Sequence, residues 1–143
     1  MSADQDIRDV FENNRLIAVY GMSTDPEKPS QFVPIFLKSK GYDIVPVNPR
    51  SDTIVNLKCY PNLHDVEASI DVVEVFRPSD QTVAVVEEAI ERNRARRDIK
   101  VIWLQEGITN EESQRLAEEA GITFIQDRCM KKEYERLFEQ GDD

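Results

Sequence analysis

The side chains best suited to chemistry in this sequence are cations and small hydrogen-bond donors that follow short apolar runs. The run Leu16-Ile17-Ala18-Val19-Tyr20 leads into Gly21-Met22-Ser23-Thr24-Asp25-Pro26. A loop between a first strand and a helix is where backbone amides and the helix dipole hold a phosphate. Gly21 suits close backbone approach there and Ser23 offers a hydroxyl donor, although tight-turn chemistry also accounts for both and G-x-G-x-x-G is absent. A second run ends in Val47-Asn48-Pro49-Arg50, where a nicotinamide dinucleotide site ordinarily carries a carboxylate for the ribose. Asn48 and Arg50 suit instead an adenosine ribose or a phosphate on it, or else form a plain Asn-Pro turn with a solvated arginine. A third run ends in Phe76-Arg77-Pro78 and a fifth in Asp127-Arg128-Cys129. Lys28, Arg50, Arg77 and Arg128 are therefore expected near one rim, which favours a small polyanion through charge-assisted contacts. Surface cations balancing neighbouring carboxylates are the plainer alternative.

Other chemistries find less support. His64 lies in Asn62-Leu63-His64-Asp65-Val66, read as a turn into a short helix, with no adjacent serine or cysteine to name a nucleophile. Glu87-Glu88, Glu111-Glu112 and Glu118-Glu119 fall on amphipathic helices and read as solvated faces. The basic run from Arg92 to Arg97 lies toward a helix C-terminus, where cations suit the dipole. Phosphorelay chemistry needs carboxylates where Tyr20-Gly21 and Phe76-Arg77 stand. Cys59 and Cys129 lack the paired spacing of a zinc site and are read as reduced thiols, with Cys129 a packing residue.

The elements that must position these residues alternate regularly. A short polar helix near Asp6–Asn13 precedes strands over Leu16–Tyr20, Tyr42–Val47, Asp71–Phe76, Ile99–Leu104 and Ile122–Ile125. Helices fall between them, with Ser30, then Ser79 or Asp80, then Asn110 as expected N-caps, and a last helix carries Tyr134, Leu137 and Phe138. Strand-helix alternation predicts right-handed βαβ units and a parallel sheet covered on both faces, with ligands outside the carboxyl ends of the strands.

Length and composition agree with one such unit. The chain has 143 residues, 40% hydrophobic and 32% charged, with 18 basic against 28 acidic side chains for a net charge of −10. One domain over 1–143, with its core at about 15–138, is expected. The average surface repels a phosphate backbone, which argues against nucleic acid as a partner, and no apolar stretch approaches a membrane span. Asp4, Asp6 and Asp9 stand where a secretory signal would need basic residues, so a cytoplasmic address is expected.

Five ordered segments carry a resemblance to a known family: Ile17–Ser23, Ile44–Pro49, Asp71–Arg77, Val101–Gly107 and Asp127–Cys129. Together they resemble the small stand-alone CoA-binding proteins, which are similar to the CoA-binding domain of the succinyl-CoA synthetase alpha subunit. The likeness spans about Leu16 to Leu137. It implies an α/β, Rossmann-like doubly wound, mainly parallel five-stranded sheet with helices on both faces. It also implies coenzyme A as ligand, with Gly21 and Ser23 against the phosphates and Lys28 and Ser30 closing that loop. Asn48, Pro49 and Arg50 would flank the adenosine part, and Phe76 and Arg77 would line the path of the pantetheine arm. Trp103, Gln105 and Gly107 resemble the family's fourth-strand motif, with packing and turn formation as an equal explanation. The loop departs from the pattern in adding Asp25 and Glu27 near the expected phosphates.

Non-catalytic binding of CoA or a short acyl-CoA is thus the expected function, because the phosphorylated histidine and nucleotide-grasping parts of the synthetases lie outside this domain. An NAD(P)-dependent oxidoreductase with Arg50 on a 2′-phosphate, and a partner-binding subunit that has lost its ligand, are the alternatives. The expectation leaves room for a protein partner or self-association.

Overall fold

The computed structural model describes residues 3–139. Their order is α1 (Ala3–Asn13), β1 (Leu16–Tyr20), α2 (Pro29–Ser39), β2 (Asp43–Val47), β3 (Thr53–Ile54), β4 (Leu57–Lys58), β5 (Val72–Val75), a 3₁₀ turn (Ser79–Gln81), α3 (Thr82–Arg96), β6 (Val101–Leu104), α4 (Glu111–Glu119), β7 (Thr123–Ile125) and α5 (Met130–Phe138). The main sheet has the order β2-β1-β5-β6-β7, and every pairing in it is parallel. β1 pairs with β2 on one side, Ile17 opposite Ile44, and with β5 on the other, Ile17 opposite Val72. Strand order reverses there, which makes the β1–β5 boundary the switch point of a doubly wound sheet.

Both faces are covered, so strand interiors are apolar without alternation. On one face Val19, Val72 and Trp103 pack beneath α1, α2 and α5 through Phe11, Leu37 and Met130. On the other, Ala18, Val73 and Ile102 pack beneath α3 and α4 through Val86, Ala89 and Ala117. Phe11 organises the first layer, edge-on to Tyr42, Tyr134 and Phe138 and tilted against Trp103 at 5.7 Å. The Trp103 Nε1–H donates to the Arg128 carbonyl at 2.7 Å, so this side chain has a structural role.

Several local expectations are corrected. Ser30 does not cap α2: Lys28 stands at the cap with Pro29 at the first helical position. Neither Ser79 nor Asp80 caps α3 directly, because both belong to the 3₁₀ turn that precedes it. Asn110 does cap α4, its Oδ1 accepting from the Ser113 amide at 2.7 Å. β6 starts at Val101 rather than Ile99, since both backbone groups of Ile99 are taken by the Asn93 side-chain amide. The β3–β4 hairpin was not anticipated; Val55 and Asn56 make its turn at φ 51° and 62° without a glycine.

His64 is exposed and the expected short helix after it does not form. The connection from Pro61 to Ile70 is instead held by Arg92, which is buried on α3. Its guanidinium pairs with Asp98 at 2.8 Å and donates to the carbonyls of Leu63, Val66 and Ala68. Burial alone would raise the Asp98 carboxyl, but Arg92 and the Ile70 amide outweigh it and hold the group below the usual range. The basic run is therefore structural at its first member, as a buried charge must be.

Replacing Arg92 by Met should leave a buried carboxylate and three carbonyls without their donor. A loss of about 3–5 kcal/mol in urea unfolding is expected, and a loss under about 1 kcal/mol would show that water replaces the guanidinium.

Candidate functional site

Above the switch point the ends of β5 and β6 and the start of α2 enclose an open cleft of about 340 Å³. Lys28, Pro29 and Ser30 form one wall, Phe76-Arg77-Pro78 the second, and Gln105, Glu106 and Ile108 the third. Two somewhat larger concavities, about 400 and 380 Å³, lie at the opposite edge around Asp6 and Asp9 and around Glu12 and Asp71. Their cations are already engaged, Lys100 with Asp71, Arg15 with Asp43 and Lys40 with Glu139. Chemistry rather than size therefore favours the cleft at the carboxyl edge for an anion.

Gly21 is required by the protein's own packing. It has φ 92°, and a Cβ built on it would lie 2.7 Å from the Phe76 carbonyl oxygen and 3.1 Å from the Arg77 Cδ. Its amide donates to the Val47 carbonyl at 2.8 Å. The Ser23 amide donates to the Ser30 carbonyl, and the Ser23 Oγ accepts from the Asp25 amide, which leaves the Ser23 O–H as its donor. Asp25 in turn accepts from the Glu27 amide at 2.9 Å, turning one of the two added carboxylates into its own loop. At α2, Pro29 has no N–H and the amides of Gln31 and Phe32 donate to the Lys28 carbonyl. The Ser30 amide is thus the first N–H directed out of the positive end of this helix.

Asn48 staples two loops together. Its Nδ2 donates to the Met22 carbonyl at 3.0 Å and its Oδ1 accepts from the Arg50 amide at 2.9 Å. Pro49 and Arg50 are exposed on the turn after β2. Arg77 is exposed and donates to the Gln81 Oε1 at 2.8 Å, with Phe76 half-buried beside it. The structure brings Lys28, Ser30, Phe76 and Arg77 into one cleft and sets Gly21, Ser23, Asn48, Pro49 and Arg50 in the loops that flank it. Arg128 does not join them: its guanidinium pairs with Glu133 at 2.8 Å on α5.

Two features of the site escaped sequence reasoning. Asp127, at φ 59°, accepts from the Gly107 amide at 2.7 Å and donates to the Ile108 carbonyl, which shapes the third wall. On β5, two residues before the Phe76 wall, Glu74 is fully buried, with neither carboxylate oxygen hydrogen-bonded. Desolvation pushes its carboxyl up to about 8. The available signal was a single acid inside an otherwise apolar run that is buried on both faces.

Known proteins resemble this chain in sequence and in fold. Residues 15–135 match the family described as CoA binding domain. The chain is 36% identical to the uncharacterized protein YneT of Bacillus subtilis over 88% of its own length and 90% of that protein. It is 34% identical to the ADP-forming acetate–CoA ligase II of Archaeoglobus fulgidus over 61% of its length, which is 13% of the ligase. A hypothetical protein from Pyrococcus horikoshii superposes with a TM-score of 0.88 at 37% identity, covering 95% of this chain and 92% of that one.

Glu74 gives the site a pH signature in stability. Its folded value lies above the value of 4.5 expected for a free glutamate, so its stabilising contribution is complete below about pH 4.5 and is lost as pH rises through about 8. Glu74→Gln, which cannot ionise, should gain on the wild type across that window, by on the order of 3 kcal/mol near neutrality. Parallel pH dependences of the two melting temperatures would show that Glu74 ionises without penalty.

Proposed function

The chain belongs to the CoA-binding domain family, and from that premise we propose that it binds coenzyme A or a short acyl-CoA at the carboxyl edge of its sheet without transforming it. The observation that carries this reading is the cleft between the amino end of α2 and the end of β5, where Lys28, Ser30 and Arg77 converge on an otherwise acidic protein. In this reading Lys28, the Ser30 amide and the Ser23 hydroxyl meet the pyrophosphate, since donors and a helix amino end complement anionic oxygens. Gly21 and Asn48 hold the loops in place, Pro49 and Arg50 flank the adenosine with its phosphate, and the pantetheine arm passes between Phe76 and Arg77.

The non-catalytic part of the proposal rests on how the nearby acids are used. Glu106 is tied to Lys132 at 2.9 Å, and Glu74 is fully buried. The ligase similarity covers 13% of that enzyme, and this limited overlap supports a binding role. Two buried free cysteines suit a reducing compartment, and we place the protein in the cytoplasm on that ground.

CoA at about 100 times its dissociation constant should stabilise the protein by roughly 2.7 kcal/mol in a thermal-shift titration. Lys28→Ala and Arg77→Ala should each weaken binding about tenfold by calorimetry. A shift with NADP alone would reassign the ligand, and no shift with any nucleotide would favour a partner-binding subunit. Formation of acyl-CoA from ATP and a carboxylate by the pure protein would overturn the non-catalytic reading.

A further inference from the structure

Four buried side-chain oxygens among the described residues have no hydrogen-bond partner. One, Asn14 Oδ1, lies just before β1 at the amino edge. The other three are both oxygens of Glu74, on β5, and the Oε1 of Gln105, directly after the adjacent β6. Glu74 stands opposite Val19 on β1 and Trp103 on β6. The ladder continues past β6 through the Gln105 amide, which donates to the Val75 carbonyl, and alternation returns Gln105 to the Trp103 face. Phe76 reaches the same face two residues after Glu74. Two long polar side chains thus sit diagonally across a strand pair, within mutual reach.

Their exposure differs in a useful way. Gln105 lines the cleft although its Oε1 is buried, so its Nε2 end is the one a ligand meets. Glu74 has no solvent contact and precedes by two residues the Phe76 that lines the cleft. A buried acceptor without a donor costs about 1–3 kcal/mol, and a buried carboxyl without a cation stays protonated. The charged or titratable groups on the elements around this face include Arg8 and Asp9 on α1, Lys28 at α2, Tyr42 before β2, Arg77 after β5, Glu106 after β6, and Cys129, Lys131, Glu133, Tyr134 and Glu135 at α5. None of them contributes to the position of the Glu74 equilibrium, whose cause is burial alone.

We propose that Glu74 is a positioning residue whose carboxyl O–H donates to Gln105 Oε1 when ligand is bound, turning the Gln105 Nε2–H toward a carbonyl of the acyl-pantetheine arm. The inference rests on the CoA reading above and adds to it a recognition point for the amide or thioester carbonyl of that arm. Gln105 is then the contact and Glu74 its orienter, so an amide at 74 preserves the donor and a hydrocarbon does not. The dependence on pH follows directly: the O–H exists below about pH 8 and is lost as pH rises through it.

The test compares acetyl-CoA, which has no free thiol to titrate, with adenosine 3′,5′-bisphosphate, which lacks the pantetheine arm. Calorimetry from roughly pH 7 to pH 9.5 on the wild type should show acetyl-CoA affinity falling about tenfold relative to the bisphosphate. Gln105→Ala and Glu74→Leu should show that loss already at pH 7, and Glu74→Gln should keep the pH 7 affinity while abolishing the decline. Glu74→Leu removes an unpartnered polar group from the core and is expected to fold. The Gln105 side-chain amide resonance should move with acetyl-CoA and stay in place with the bisphosphate. A decline that persists in Glu74→Gln, or an unaltered acetyl-CoA to bisphosphate ratio in Gln105→Ala, would overturn the inference while leaving the CoA reading intact. Failure of both ligands to bind the wild type would overturn the two together.

Discussion

The close passage of Gly21 under the Phe76 carbonyl fixes the geometry of the carboxyl edge. β1 is paired on both sides, and its last hydrogen bonds latch three strand ends together: Gly21 N–H to the Val47 carbonyl and Phe76 N–H to the Tyr20 carbonyl. No side chain fits at position 21, because a Cβ there would overlap backbone rather than a flexible group. The loop that leaves for α2 and the loop that leaves for α3 therefore start almost in contact. Lys28, Ser30 and Arg77 face one another because their loops diverge from this single crossing.

Charge is handled locally. With a net charge of −10, the molecule repels anions on average. At the edge Glu106 is ion-paired with Lys132, while Asp25 and Asp127 accept from the Glu27 and Gly107 amides and keep their charge. Among the described ion pairs none takes Lys28 or Arg77, both of which line the cleft, while Arg128 is paired with Glu133. An acidic protein can thus present a small basic feature without becoming a general polyanion binder.

The doubly wound sheet was legible because fully buried parallel strands write themselves as continuous apolar runs, and the loops that carry the site follow those runs directly. What could not be read is the division of labour within the loops. Gly21, Ser23 and Asn48 have the right types for ligand contact, but much of their hydrogen-bonding capacity serves the protein, which only the positions of Val47, Ser30 and Met22 reveal. The β3–β4 hairpin was hidden because its strands are two residues each and its turn lacks glycine. Glu74 was passed over because a single acid in a β-run gives no sign of which face it takes.

The link between β2 and β5 illustrates a different economy. It must carry the chain back across β1, a task that parallel crossovers usually give to a helix, yet the part from Pro61 to Ile70 has no helix. Its carbonyls are instead collected by Arg92, which lies 24 to 29 residues later in the chain. During synthesis this crossover therefore emerges before the side chain that organises it. The carbonyls of Leu63, Val66 and Ala68 can meet this partner only once α3 has been made, so the crossover depends on a residue that follows it in the sequence.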